Sequence, residues 1–124
     1  MKKLLLTLTA LLILATSSTS AADWYYVGNG GHTNGQSSFS AFIDNERVLK
    51  DNKGAVIWIK YNYNDGTKMI EECYFDRKYI TVTTFYRIVY DENGKVIYSG
   101  ENSNKKFIPI VPETVYERIF NLIW

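Results

Sequence analysis

Two tight-turn signals, Asn64-Asp65-Gly66 and Asp91-Glu92-Asn93-Gly94, constrain this chain more than anything else in it. Asn, Asp and Gly accept the positive φ that a hairpin turn demands, so each signal folds an extended chain back on itself. The segments between them are strand-like. From Val56 to Tyr63, one face carries Ile57, Ile59, Tyr61 and Tyr63, and the other carries Val56, Trp58, Lys60 and Asn62. Such alternation predicts a half-buried strand, with the first set as its core face. Thr67 to about Phe75 is its partner, placing Met69, Cys73 and Phe75 on one face together with Glu71. Lys78 to Tyr90 reads as a long strand, with Ile80, Val82, Tyr86, Ile88 and Tyr90 on one side and Tyr79, Thr81, Thr83, Phe85 and Arg87 on the other. Asp91 to Gly94 turns it into a last strand, Lys95 to Ser99, so these four segments form an antiparallel meander.

The segment upstream is less regular. Trp24 to Val27 is a short aromatic strand, Gly28 to Gln36 a glycine-rich loop, and Ser38 to Ile43 a weaker strand. Asp44 to Gly54 is a polar connection that ends in the tight turn Asp51-Asn52-Lys53-Gly54.

The period changes at the end of the chain. Val115, Ile119, Leu122 and Ile123 recur at three- and four-residue spacing, which predicts an amphipathic helix. Thr114 and Glu117 have the spacing of a capping box, and Pro112 keeps the chain from becoming helical earlier. A helix of about ten residues is marginal alone, so it must lie on the sheet. The expected fold is α+β and mostly β: a sheet of about six antiparallel strands in a meander, with the C-terminal helix packed on it.

The first 22 residues read as a cleaved signal peptide. Met1-Lys2-Lys3 is basic, Leu4 to Ala15 is apolar apart from two threonines, and Thr16 to Ala22 is small. Cleavage is expected before Asp23, and the site after Ala21 is nearly as good. The apolar stretch of about 12 residues falls short of the ~20 that span a bilayer. No second long apolar run follows, so no transmembrane span is expected in the mature chain. Residues 23–124 then form one small domain, exported to the periplasm or the outer-membrane surface.

Composition narrows the chemistry. Without Lys2 and Lys3 the chain carries 12 basic and 13 acidic residues. The basic residues are scattered, so nucleic acid is not an expected partner. Cys73 is the only cysteine, which rules out an internal disulfide. It reads as a small buried hydrophobe on a strand or, more sharply, as an intermolecular or reactive thiol. His32 is the only histidine and sits in the glycine-rich loop, so zinc sites and triads built on several histidines are excluded. Glu71 and Glu72 would point to opposite sheet faces, a poor acid/base pair. Gly28-Asn29-Gly30-Gly31 has no following helix pattern and no Lys to make it a phosphate loop. No catalytic residue, metal ligand or cofactor site is therefore expected.

What stands out is the aromatic content, ten Tyr and six Phe in 124 residues. Trp24, Tyr25 and Tyr26 are consecutive, so on a strand they cannot all face one core. They read either as a core Trp with Tyr rings on the sheet, or as a surface for a protein partner, because such side chains are enriched at interface cores.

In order, the chain has an early Trp24, the strand Ile57-Trp58-Ile59-Lys60-Tyr61, and Cys73-Tyr74-Phe75-Asp76-Arg77-Lys78-Tyr79. The turn Asp91 to Lys95 follows, then the step Phe107-Ile108-Pro109-Ile110-Val111-Pro112-Glu113-Thr114 into the helix. Together these resemble the surface-adhesin protein E family of Gram-negative bacteria. The resemblance implies a six-stranded antiparallel sheet with a C-terminal helix. It also implies an adhesin-like, non-enzymatic role, with binding to host extracellular-matrix or serum proteins and self-association. Many relatives are small exported proteins without an assigned role, so the alternative is a periplasmic structural or accessory module with no host ligand. Family members commonly tie the helix to the cysteine equivalent to Cys73 through a second Cys at the helix end. This chain ends Asn121-Leu122-Ile123-Trp124, so packing by Trp124 would have to replace that tether. The aromatic at Phe107 is usually Trp.

Overall fold

The computed structural model describes residues 22–31 and 38–124. The predicted leader, apart from Ala22, and His32 lie outside the described residues. Eight strands form one antiparallel sheet: β1 (Trp24–Gly30), β2 (Phe39–Asp44), β3 (Leu49–Lys50), β4 (Gly54–Tyr63), β5 (Lys68–Asp76), β6 (Thr81–Tyr90), β7 (Val96–Glu101) and β8 (Ile108–Pro109). The helix α1 (Val115–Ile123) closes the chain. The main path is β1-β2-β4-β5-β6-β7, with β3 paired to β4 and β8 to β6. This is the six-stranded meander with a terminal helix that the sequence predicts.

The turns form for the expected reasons. Asp91 Oδ1 accepts the N–H groups of Asn93 (2.9 Å) and Lys95 (2.8 Å), while Gly94 supplies the left-handed residue at φ 84°. Asp65 Oδ1 plays the same part for the N–H of Thr67, at 2.9 Å.

The core lies between the sheet and α1. Ile43, Ile57, Ile59, Phe75 and Val82 meet Val115, Ile119 and Ile123 of the helix, and all are buried. Each side chain of this size removed from water contributes about 1.5–3 kcal/mol, and this burial holds a helix too short to persist alone.

Four features differ from the sequence expectation. First, β1 runs on through Gly28–Gly30, where the glycine content predicts a loop, because a bulge between Tyr26 and Gly28 lets it stay paired with β2. Second, the connection after β2 contains β3, held by pairing to Ala55 and Val56. Third, residues 77–80 are a turn, and β6 begins only at Thr81. The Asp76 side chain accepts the N–H of Tyr79 at 3.0 Å, and Ile80 adopts φ 51°.

The fourth feature has the largest effect. The register between β5 and β6 shifts between Glu72 and Cys73, where Phe85 is the extra residue. Alternation along β6 therefore changes phase. Val82 faces the core opposite Phe75, whereas Tyr86 stands opposite Glu72 on the other face. The grouping of Val82 with Tyr86, Ile88 and Tyr90 is thus overturned, and Arg87 turns inward.

Candidate functional site

Two regions carry exposed or convergent chemistry, one on each face of the sheet. On the face away from α1, the registers set Phe42, Lys60, Ile70 and Ile88 in one row, and Trp58, Glu72 and Tyr86 in the next. Trp58 and Tyr86 meet edge to face at 6.3 Å, and Tyr26 meets Phe42 the same way at 5.5 Å. Lys60 Nζ lies 4.7 Å from the Trp24 ring centre and 5.0 Å from that of Phe42. Burial, and then the charge of Lys68, push the Lys60 ammonium below its usual range. Among the described residues no helix or strand covers this face.

The predicted aromatic triplet divides as alternation requires. Trp24 and Tyr26 belong to the open face. Tyr25 stands opposite the core residue Ile43 and reaches the groove beside Leu122 and Ile123. Tyr25 and Tyr26 are each 51% exposed, whereas Trp24 is half-buried under Lys60 and is not a core side chain.

Under the helix, Glu71 is 2% exposed and both of its oxygens are occupied. Arg87 donates to Oε2 through Nε (3.0 Å) and Nη2 (2.7 Å). Oε1 accepts from the hydroxyls of Tyr61 (3.0 Å) and Tyr116 (3.4 Å), and from the Cys73 thiol at 3.8 Å. Burial comes first, and for Tyr61 the neighbouring Tyr116 precedes Glu71; together they push the Tyr61, Tyr116 and Cys73 protons well above their usual ranges. The three groups therefore remain neutral donors to the carboxylate. Cys73 is fully buried, as the blander of its two sequence readings has it.

A cavity of about 540 Å³ opens beside this cluster, between the first turn of α1 and the ends of β1 and β2. Phe39, Tyr61, Met69, Val115 and Tyr116 supply its apolar wall, and Glu113 and Arg118 are also on its lining. The Arg118 guanidinium reaches β1 over Gly28, where an added Cβ would fall 1.8 Å from Nη1. Only a glycine lets the two approach this closely.

The helix entry carries the other predicted residues. Thr114 is the N-cap, and its hydroxyl accepts the Glu117 N–H at 3.3 Å. The reciprocal half of the capping box is displaced by one residue: the Glu117 carboxylate accepts from the N–H of Glu113 (2.8 Å) rather than that of Thr114. Glu113 is left-handed at φ 66°, which turns its N–H toward Glu117. Pro112 lies in the turn just before.

The Glu71 cluster was only half visible in the sequence. A charged residue on the apolar face of β5 was the available signal, but its partner Arg87 was hidden by the bulge. Among the described residues, no group of three or more His, Cys, Asp and Glu is placed to hold a metal ion. Also among them, no helix is long and apolar enough to cross a membrane. Compared with known proteins, the chain matches no family model, no curated protein and no solved structure.

Proposed function

We propose that this is an exported, non-enzymatic binding protein of the cell envelope, adhesin-like, that contacts a protein partner through the open face of its sheet. The observation that carries this reading is the band of Trp24, Tyr26, Phe42, Trp58 and Tyr86 on a face that no described element covers. Large aromatic side chains presented on a rigid sheet contribute strongly to protein interfaces, because little conformational entropy is lost on contact. The ionisable groups under the helix support the same reading. Glu71, Arg87, Tyr61, Tyr116 and Cys73 are engaged with one another, which leaves no poised base and no thiolate. A host matrix or serum protein as the partner rests on the resemblance to the surface-adhesin protein E family.

The test is binding of purified residues 23–124 to a panel of immobilised matrix and serum proteins. Binding to at least one is expected, and Trp58→Ser with Tyr86→Ser should abolish it while the circular dichroism spectrum is retained. Failure to bind any of them counts against adhesion. Surface labelling of intact cells is expected to reach the protein; a wholly periplasmic pool would favour the accessory envelope role instead.

A further inference from the structure

We infer that the cavity between α1 and the ends of β1 and β2 binds a free α-amino acid with an apolar side chain. This inference does not depend on the open face of the sheet. The cavity's volume of about 540 Å³ lies within the range of about 300–1,000 Å³ usual for small-molecule sites. Phe39, Met69 and Val115 offer an apolar floor. The hydroxyl protons of Tyr61 and Tyr116 at its inner end are already donated to Glu71. That end therefore offers a ligand no free hydroxyl proton, and the ligand's apolar group is assigned to the floor of Phe39, Met69 and Val115.

Besides Glu71, whose two oxygens are occupied by Arg87, Tyr61, Tyr116 and Cys73, the lining holds two charges of opposite sign. Glu113 and Arg118 stand just before the N-cap and at the fourth helical position, which are neighbours in space where a chain enters a helix. They do not pair with each other, and neither side chain has a partner among the described residues. Arg118 is on the cavity lining, and its guanidinium is laid over Gly28, next along β1 from the lining residues Asn29 and Gly30. Glu113 is exposed and lies on the lining, and its backbone N–H is taken by the Glu117 carboxylate. A ligand with a carboxylate for Arg118, an ammonium for Glu113 and an apolar group for the floor satisfies all three features. A simple carboxylate would leave Glu113 opposing it, and a simple amine would leave Arg118 opposing it.

The experiment is titration of residues 23–124 with leucine and phenylalanine, read by calorimetry and by NMR shifts of the Met69 methyl and the tyrosine rings. One-to-one binding that moves the Met69 resonance is expected. 3-Phenylpropionate and phenethylamine, each lacking one charge, should bind about fivefold more weakly. Arg118→Gln and Glu113→Gln, both at exposed positions, should each weaken phenylalanine by a similar factor, and Trp58→Ser should leave it unchanged. The inference is overturned if neither amino acid binds. It is also overturned if a single-charge analogue binds as well as phenylalanine, or if the shifts fall on Trp58 instead of Met69.

Discussion

Arg87 and Glu71 stand directly opposite each other on β6 and β5, joined by two N–H···O bonds of 3.0 and 2.7 Å that converge on the single oxygen Oε2. The carboxylate is 3% exposed and the guanidinium side chain 41%. Glu71 is thus a buried charge whose one cationic partner among the described residues enters from solvent. Removing a partner from such a pair leaves the buried carboxylate without its counter-charge. Because water reaches the Arg87 end, the expected loss for Arg87→Met is about 2 kcal/mol, below the figure for a fully buried pair. Urea denaturation should show it as a lower midpoint at unchanged slope. Adding Glu71→Leu to Arg87→Met should restore part of the loss, because no orphaned charge then remains.

The same cluster makes stability depend on alkaline pH. Tyr61, Tyr116 and Cys73 hold their protons more tightly in the folded chain than their ordinary values of 10.0 for tyrosine and 9.0 for cysteine. A group whose folded pKa is raised contributes stability that is complete below its unfolded pKa and is lost as pH rises toward the folded one. The folded state should therefore keep its stability through neutral pH and lose it progressively above about pH 9. Chemical denaturation at pH 7 and pH 10.5 measures the difference. Tyr116→Phe combined with Cys73→Ala should flatten that decline, since neither replacement titrates.

The strands around the two strongest turns were legible because local chemistry decides them. Asp65, Gly66, Asp91 and Gly94 build their turns from bonds within a few residues, and alternation in β4 matches its burial from Val56 to Asn62, with Tyr63 at the strand end only half-buried. The helix was legible for the same reason, through its period and Thr114. What was not legible is set by long-range pairing. The bulge on β6 exists because Cys73 pairs with Thr84 while Glu72 pairs with Tyr86, a count that no window of the sequence contains. The change of phase along β6 follows from it, including the inward turn of Arg87. The open aromatic face was half legible: Trp58 was placed away from the core face, but Trp24 could be set beside Lys60 only once β1, β2 and β4 were in register.

Ile80 occupies the left-handed region at φ 51° in the turn before β6, with half of its surface exposed. A β-branched residue is strongly disfavoured there, because its Cβ substituents crowd the adjoining carbonyl. The turn is held regardless, by the bond from Tyr79 N–H to the Asp76 carboxylate and by that from Ile110 N–H to the Ile80 carbonyl. Ile80→Gly relieves the steric cost, loses some packing from a half-exposed side chain and gains backbone entropy in the unfolded chain. The net expectation is stabilisation of about 0.5–1 kcal/mol. A thermal melt that fell instead would show the Ile80 side chain to matter more than its backbone strain.

Trp124 fastens the end of α1 to the turn between β3 and β4. Its indole N–H donates to the Asp51 carbonyl at 3.1 Å, its ring packs on Phe120 at 5.0 Å, and Arg77 lies over it at 5.5 Å. Lys50 adds a second fastening by donating to the Ile123 carbonyl at 2.6 Å, where the helix leaves its last carbonyls unpaired. Trp124→Phe keeps the ring contacts but removes the hydrogen bond, so a loss of about 1 kcal/mol is expected. Trp124→Ala removes both and should cost about 2–3 kcal/mol, below the full truncation range because the side chain is only half-buried. Amide exchange separates local from global loosening. If Trp124 anchors the helix end, the amides of Asn121 to Ile123 should lose protection in Trp124→Ala well before those of Ile57 and Ile59 in β4. Uniform loss across both would mean that the terminal ring stabilises the whole domain and does not act as a local fastening.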